Sequence, residues 1–386
     1  MDIKMKNYKK CPVADICGGC QYQGLSYSQQ LKLKQQKVEK LLGSFCCVDE
    51  IIGANNPYNY RNKSQVSFQK DYKGNIFMGN YVESTHKIVD VNDCQITSLI
   101  ANKIFNTIKA LAKSYKLSIF NEHSKEGFLR HVLVRNSFDN EEVMVVLVTG
   151  TIAFPKKKSF LESLLNQCPE ITTIVQSINN SHTSMILGKK NIVLYGPGYI
   201  EDELCGLTFK LSCSSFYQIN HAQTEKLYRK AIELAGLKGD EVVLDAYCGI
   251  GTIGLTMANN AKEVIGVEIN KQAIHDAIKN AKINQIKNIS FYCDDASSFM
   301  ARQAIDKKHY DVVMMDPPRT GATEKFLKNL VKLNPMRVVY ISCNPNTQKR
   351  DLKYLTNKGY CVKRIVPLDM FPFTNHVECI ALLCRK

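Results

Sequence analysis

The second half of the chain alternates short apolar runs with helical patterns. The apolar runs, which predict strands, are residues 241–245, 263–268, 289–293, 311–316 and 337–342. The helical patterns lie near residues 222–236, 252–259, 271–285, 323–333 and 346–357. This alternation predicts βαβ units, and therefore a mainly parallel sheet with helices on both faces. Two final runs, 361–366 and 376–383, are joined by PLDMFPFTN and predict a C-terminal hairpin that closes the sheet.

The first half has a different rhythm, in which residues 55–212 form mostly short strands and loops. The strand-like segments are KSQVSFQK, GFLRHVLVR, EEVMVVLVTG and NIVLYGPGYI, and helical patterns lie near 96–115 and 157–167. The change near residue 213 predicts two domains, 1–212 and 213–386. A chain of 386 residues, 45% of them hydrophobic, is long enough to build a core in each.

One helix is predicted ahead of these strands, over residues 26–42. Ser26 or Ser28 caps its start and Gly43 ends it. Its apolar face consists of Leu31, Val38, Leu41 and Leu42. We expect this helix to pack on the second domain.

Composition narrows the class of protein. No run approaches the ~18 apolar residues that span a bilayer, and the N-terminus lacks the apolar stretch of a secretory signal. We therefore expect a cytoplasmic protein that does not bind membranes, in which 15 cysteines serve as thiols, metal ligands or catalytic groups. A formal charge of +15 indicates a polyanionic partner, most simply a nucleic acid.

A glycine-rich turn follows the first strand of the second half. Gly249, Gly251 and Gly254 match G-x-G-x-x-G, a pattern that also occurs in dinucleotide sites. Asp245 and Glu268 end the first two strands. A carboxylate beside the turn suits a positively charged sulfonium better than a pyrophosphate, and Glu268 is placed to accept hydrogen bonds from ribose hydroxyls. The turn predicts S-adenosylmethionine, with NAD and a purely structural turn as alternatives.

Three further residues lie at the ends of later strands. Asp316 begins a D-P-P-R sequence, Cys343 follows the next strand, and Glu378 starts the last one. Ligands of open α/β sheets bind at this carboxyl edge. Each residue also has an ordinary interpretation: a strand-ending turn, a small buried thiol and a solvated strand end. Together, however, a thiol, a desolvated carboxylate and a methyl donor meet the needs of methylation at C5 of uracil.

With these motifs the chain resembles the bacterial RNA (uracil-C5)-methyltransferases that act on 23S rRNA or on the tRNA T-loop. The markers span nearly the whole chain: CPVADICGGC, GFLRHVLVR, FYQIN, LDAYCGIGT, DPPR, SCNPNT and HVE. The resemblance implies a class I S-adenosylmethionine-dependent methyltransferase domain, Rossmann-like, beside an α+β iron–sulfur and RNA-binding domain. It implies Cys343 as the nucleophile and Glu378 as the base that removes the C5 proton.

The same resemblance implies the residues that contact the cofactor. They are Gln218, Tyr247, Thr252, Glu268, Asp295 and Asp316. Thr252 stands where family members often have asparagine, and Asp294 competes with Asp295 for one contact. Many members also carry an N-terminal TRAM β-barrel. This chain starts almost directly at the first cysteine motif, so we expect it to lack the barrel.

A cysteine cluster opens the chain. Cys11, Cys17 and Cys20 form C-x5-C-x2-C, and Cys94 is the family-matching fourth ligand. Four thiolates suit a [4Fe–4S] cluster or zinc, and the resemblance favours the [4Fe–4S] cluster. The spacing differs from the C-x3-C-x2-C of radical enzymes, which indicates a structural or RNA-contacting cluster.

RNA contacts are expected from two regions. Residues 1–44 carry eight lysines against three acidic residues, with Tyr8, Tyr22 and Tyr27 interleaved. Arg130, His131 and Arg135 alternate in a strand-like run and are candidates to line the RNA path, with a structural ion-pair role as the alternative.

Three rival functions follow from parts of the pattern: an amino-group methyltransferase, a non-catalytic iron–sulfur RNA-binding protein and an NAD-dependent dehydrogenase. The favoured hypothesis is a monomeric enzyme that methylates C5 of a uridine in 23S rRNA, with the tRNA T-loop as second choice. The number of target uridines is left open.

Overall fold

The computed structural model describes residues 10–82, 85, 87–138, 141–181, 183 and 185–386, which divide into two compact units. The first unit comprises residues up to 26, then 56–203 and 211–214; the second comprises 27–55, 204–210 and 215–386. Residues 27–55 thus belong with the second unit, although the sequence prediction drew the boundary at 212.

Helices and strands of the described residues are numbered in chain order. The helices are α1 (Tyr27–Leu42), α2 (Leu99–Ser114), α3 (Lys157–Gln167), α4 (His221–Ala235), α5 (Thr252–Ala258), α6 (Lys271–Ile283), α7 (Ala296–Ile305), α8 (Glu324–Leu333) and α9 (Pro345–Thr356). The strands are β1 (Lys63–Lys70), β2 (Ile76–Tyr81), β3 (Ile88–Asp90), β4 (Leu129–Asn136), β5 (Val143–Thr149), β6 (Ile171–Ile178), β7 (Lys190–Tyr195), β8 (Tyr199–Leu204), β9 (Leu207–Ser212), β10 (Val242–Ala246), β11 (Glu263–Glu268), β12 (Ile289–Cys293), β13 (Val312–Met315), β14 (Arg337–Ser342), β15 (Tyr360–Leu368) and β16 (Glu378–Arg385).

The first unit is built on a seven-stranded sheet in the order β3-β2-β1-β4-β5-β6-β7. Its pairings are antiparallel except between β5 and β6. Every residue of β4 and β5 is buried, and α2 and α3 contribute Ile104, Ile108 and Phe160 to the same core. The strands and helices predicted between residues 55 and 212 are confirmed.

The second unit contains a seven-stranded sheet in the order β12-β11-β10-β13-β14-β16-β15. The first five strands are parallel, and β16 is antiparallel between β14 and β15. The predicted mainly parallel sheet and its C-terminal hairpin are confirmed. Helix α7 was not predicted; Asp295 accepts a hydrogen bond from Ser298 N at its start, a capping signal that the sequence does contain.

Helix α1 packs within the second unit. Val38 and Leu42 are fully buried in its core, and Gln30 and Lys34 extend the same buried face at spacings of four residues. Two polar residues thus occupy positions that the apolar pattern did not predict. A Cβ at Gly43 would lie 2.5 Å from the Glu39 carbonyl oxygen, which explains glycine where the helix ends.

No helix among the described residues is both long and apolar enough to cross a bilayer.

Candidate active site

The glycine-rich turn joins β10 to α5 through left-handed backbone. Tyr247, Gly249 and Gly251 have φ angles of 70°, 56° and 85°. A Cβ at Gly249 would enter open space, whereas one at Gly251 would lie 3.0 Å from the Phe291 ring. The turn is therefore held in a conformation that favours glycine, with open space beside Gly249 for a ligand to approach the backbone.

Two carboxylates brace this turn in different ways. Glu268, at the end of β11, accepts hydrogen bonds from Gly249 N at 3.3 Å and Asn270 N at 2.8 Å. Asp245 is only 1% exposed and accepts from Gly254 N at 2.9 Å. Burial raises the pKa of Asp245 to about 8, and Asp316 and Glu268 add to the rise. Asp245 is thus a buried support of the helix start, which differs from the sulfonium-facing role inferred from the sequence.

Three other predicted cofactor residues contact or adjoin helices α4, α5 and α8. The Tyr247 ring stacks on Phe326, with centroids 5.1 Å apart. The Thr252 hydroxyl lies 3.0 Å from the Tyr228 hydroxyl. Gln218 is buried two residues before Asn220, the cap of α4.

The two competing aspartates differ in their partners. Asp294 forms an ion pair with Arg302. Asp295 caps α7, and its side chain is half exposed. Asp295 also lies 4.0 Å from Lys325 Nζ, and the two aspartates differ mainly in exposure, which is 28% for Asp294 and 50% for Asp295.

Strand register brings the nucleophile candidate beside the base candidate. In the antiparallel pairing of β14 with β16, Ser342 lies opposite Cys379. Cys343 and Glu378 occupy the next position on the two strands, and Glu378 also pairs with Leu368 of β15. Asp316 follows β13, the other neighbour of β14.

Burial and neighbouring charges shift the pKa values of these three side chains. Burial raises the pKa of Asp316 to about 7. It raises the pKa of Glu378 well above its usual range, and the charge of Asp316 raises it further. Burial, then Glu378 and Asp316, raise the pKa of the Cys343 thiol to about 11, while Arg319 acts in the opposite direction. The free protein therefore holds Cys343 as a thiol at neutral pH.

Arg319 is the cation that acts on Cys343, a role that the sequence did not predict. Its guanidinium lies 3.2 Å from His376 Nδ1, and its carbonyl accepts hydrogen bonds from Asn344 Nδ2 and Thr347 Oγ1. The only signal in the sequence was its place in D-P-P-R, directly after the rigid prolines.

The four predicted cluster cysteines line one cavity of about 100 Å³ in the first unit: Cys11, Cys17, Cys20 and Cys94. Burial raises the pKa of Cys20 to about 12, and the charges of Cys94 and Cys17 add to the rise. Within the described residues, no three His, Cys, Asp or Glu side chains are gathered as ligands of a single metal ion. The arrangement is thus four thiols around a space rather than a preformed one-ion site.

Comparison with known proteins identifies the family. The tRNA (uracil-5-)-methyltransferase family model matches residues 26–386. The chain belongs to this family. It is 45% identical over 381 residues to an uncharacterized RNA methyltransferase of Staphylococcus aureus, covering 97% of this chain and 84% of that protein. A Staphylococcus epidermidis relative with the same description is 45% identical over 375 residues, covering 96% and 82%.

Among solved structures, this uracil-5 methyltransferase is similar to the Pyrococcus abyssi tRNA (uracil-54, C5)-methyltransferase in complex with S-adenosyl-L-homocysteine. The identity is 30% and the TM-score 0.80, over 95% of this chain and 86% of that one. The protein is therefore an RNA uracil-5 methyltransferase that uses S-adenosylmethionine, and its second unit has the predicted class I methyltransferase fold.

Arg130 and His131 line a cavity of about 1500 Å³ in the first unit, so their place along an RNA path stays a prediction. Arg130 is buried and pairs with Glu122, His131 is buried against Ser67, and Arg135 is buried. Burial lowers the pKa of His131 to about 4, so it is neutral at physiological pH. The alternative structural role is confirmed for Arg130.

The described lysines of the N-terminal region differ in exposure: Lys10, Lys32 and Lys40 are exposed, and Lys4, Lys6 and Lys9 lie outside the described residues. Lys34 is fully buried, and the Tyr27 hydroxyl donates to Asp369 and accepts from Ala54 N. Tyr8 lies outside the described residues. Tyr22 is half-buried and remains a candidate contact.

Proposed function

We propose that this enzyme methylates C5 of a uridine in 23S rRNA, with Cys343 as covalent nucleophile and Glu378 as the base that removes the C5 proton. The observation that carries the proposal is the cluster of one thiol and two buried carboxyls at the carboxyl edge of the sheet. Methylation of an amino group does not require a nucleophilic thiol. Hydride transfer by a dehydrogenase does not require a thiol beside a carboxyl group.

The first step is addition of sulfur to the ring. The Cys343 thiol loses its proton to solvent, and the Arg319 cation favours the thiolate. The thiolate forms a bond to C6, and the C5–C6 π electrons move onto C5 and the C4 carbonyl as an enolate. To reach C6, the enzyme must bind a uridine that is turned out of its stack, at a cost of a few kcal/mol.

Bound S-adenosylmethionine supplies an electrophilic methyl group on a positively charged sulfur. The open glycine turn and the polar side chains around it fit such a group, and we propose these residues as its contacts: Gln218, Tyr247, Thr252, Glu268, Asp295 and Asp316. C5 of the adduct would form a bond to this methyl group, while the bond between sulfur and the methyl group breaks and S-adenosylhomocysteine leaves as a neutral thioether.

The last step regenerates the aromatic ring. The Glu378 carboxylate removes the proton from C5, the electron pair restores the C5–C6 double bond, and the Cys343 thiolate leaves. Its raised pKa makes Glu378 a strong base once it is ionised. Because burial favours the protonated carboxyl, Glu378 must lose its own proton to solvent before this step.

For the first unit we propose a [4Fe–4S] cluster. What supports the proposal is that the four cysteines line one cavity and that a [4Fe–4S] cluster takes four thiolate ligands. The thiolates of Cys11, Cys17, Cys20 and Cys94 would hold it. Its chemistry there is structural or RNA-contacting, and the methylation steps above do not use it.

The tRNA T-loop is the second candidate target. It is favoured by the similarity to the Pyrococcus abyssi enzyme, whose target is uracil-54 of tRNA. The +15 charge supports an RNA partner but does not distinguish the two RNAs.

The test is mass-spectrometric mapping of 5-methyluridine in rRNA and tRNA from cells with and without the protein. The proposal predicts that at least one uridine of 23S rRNA loses its methyl group in the deletion strain. Loss in the tRNA T-loop alone would favour the second candidate, and unchanged maps in both RNAs would contradict both.

A further inference from the structure

The segment that leads into Glu378 is held by helix α1. Residues 369–377 connect β15 to β16, so the backbone position of Glu378 depends on how this segment is fixed. Side chains from one face of α1 contact it at three places, and all of these residues belong to the second unit.

The central contact is a buried ion pair. Lys34 Nζ lies 2.6 Å from Asp369 Oδ1, and neither side chain is exposed to solvent. Lys34 also donates to the Phe371 carbonyl at 3.0 Å, and the Tyr27 hydroxyl donates to the other Asp369 oxygen at 2.9 Å. The lysine therefore binds both a side chain and the backbone of the segment.

Two further contacts extend the attachment toward Glu378. Gln30 Oε1 accepts from Phe373 N at 2.8 Å, at a residue whose φ is 66°. Lys37 donates to the Asn375 carbonyl at 2.9 Å. A left-handed phenylalanine is strained and persists only where its surroundings hold it, so Gln30 fixes the turn two residues after Phe371.

A buried ion pair is weak evidence for stability, because desolvating both charges offsets their attraction. An apolar face on α1 would satisfy the packing. It would not fix the backbone of a loop, whereas hydrogen bonds to Phe371 and Phe373 do. The polar face of α1 thus fixes the backbone that leads to Glu378. It is not needed to bury the helix.

We propose that Lys34, with Gln30, is a positioning residue for proton abstraction by Glu378. This inference rests on the proposed covalent mechanism. It assigns the buried face of α1 to the second half of the reaction, in which the C5 proton leaves, and not to cofactor binding or methyl transfer.

The experiment follows the two halves separately in a single turnover. The RNA is total RNA labelled with [5-³H]uridine from cells that lack the protein, and the methyl donor carries ¹⁴C. Methyl incorporation reports the first half and tritium release reports proton loss, while a denaturing gel shows covalent protein–RNA adduct. The variants are Lys34→Met/Asp369→Asn, which removes both charges, and Gln30→Met, which leaves the ion pair intact.

In the wild type, tritium release should keep pace with methyl incorporation. In both variants we expect methyl incorporation near the wild-type rate, tritium release slowed roughly tenfold to a hundredfold, and accumulation of methylated adduct, because a displaced base acts poorly on a formed adduct. Lys226→Met is the matched control: it removes a lysine that donates to the Gly53 carbonyl and does not touch the segment.

Folded variants that release tritium at the wild-type rate would overturn the inference. An equal slowing of methyl incorporation and tritium release would also overturn it. Melting temperature and S-adenosylhomocysteine affinity show whether each variant is folded. If the double variant does not fold, the result for Gln30→Met tests the positioning role. Glu378→Gln separates the two proposals: if it accumulates no adduct, the covalent mechanism fails; if it does and the α1 variants do not, only the positioning role fails.

Discussion

Cys343 is a nucleophile placed where its surroundings oppose ionisation. Its strand ends beside Glu378 and Asp316, and burial and both carboxyls raise the pKa of the thiol to about 11. Arg319 acts against them. The carboxyls are needed for removal of the C5 proton. They make the resting thiol less reactive, but they provide a strong base near the adduct.

The rate at which iodoacetamide alkylates Cys343 in the free protein reports how these neighbours shift the pKa of the thiol. Since the pKa lies near 11, the thiolate fraction and the rate at Cys343 should rise about tenfold per pH unit from 7 to 9. Arg319→Gln removes the cation that favours the thiolate, so the rate at pH 8 should fall. Peptide mass spectrometry follows Cys343 alone, with exposed Cys47 as internal control. A pH-independent rate, or a faster reaction in Arg319→Gln, would contradict the assignment.

Among the elements, the glycine turn depends on backbone conformation more than on side chains. Gly251 has a φ of 85° and stands directly before α5, with the Phe291 ring at the position where a side chain would begin. A β-branched residue there meets both left-handed strain and the ring.

Gly251→Val should therefore weaken binding of S-adenosylhomocysteine by about tenfold or more, corresponding to at least 1.4 kcal/mol. Isothermal titration calorimetry measures the affinity. Gly206→Ala is a control for left-handed glycine strain alone, because a Cβ there meets nothing within 4 Å. Unchanged affinity in a folded Gly251→Val protein would show that this turn does not hold the cofactor.

The helices and strands also show which parts of the fold could be predicted from the sequence. Alternating apolar runs were enough to predict β10 to β16, because each strand is short and flanked by a helix or turn. Helix α7 was missed, since its buried face is narrow and its cap lies in an acidic stretch. The role of Lys34 could not be predicted, because its partner Asp369 is distant in sequence. The role of Asp245 depends on how the turn folds back, which brings the Gly254 N–H to its carboxyl.

At the scale of the whole molecule, the two units carry different chemistry. The second holds the glycine turn and the thiol–carboxyl cluster, and the first holds four cysteines around a cavity. The basic charge of the chain promotes binding to RNA by a field that falls with salt.

Iron content tests the cysteine cavity. Protein purified without oxygen should contain about four iron atoms per chain and show the broad visible absorption of a [4Fe–4S] cluster. Cys94→Ser, which removes the distant ligand, should lose most of this iron, whereas Cys47→Ser should retain it. Wild-type protein without iron, or full iron in Cys94→Ser, would contradict the cluster.

The most direct test of the central claim is covalent capture on RNA that contains 5-fluorouridine. Fluorine cannot leave C5 as a proton does, so the reaction should stop after methyl transfer with sulfur still bound to C6. Mass spectrometry of the digested complex should find one methylated fluorouridine adduct on the Cys343 peptide, and Cys343→Ala should form none. An adduct on another cysteine, or methylated RNA without any adduct, would contradict the account.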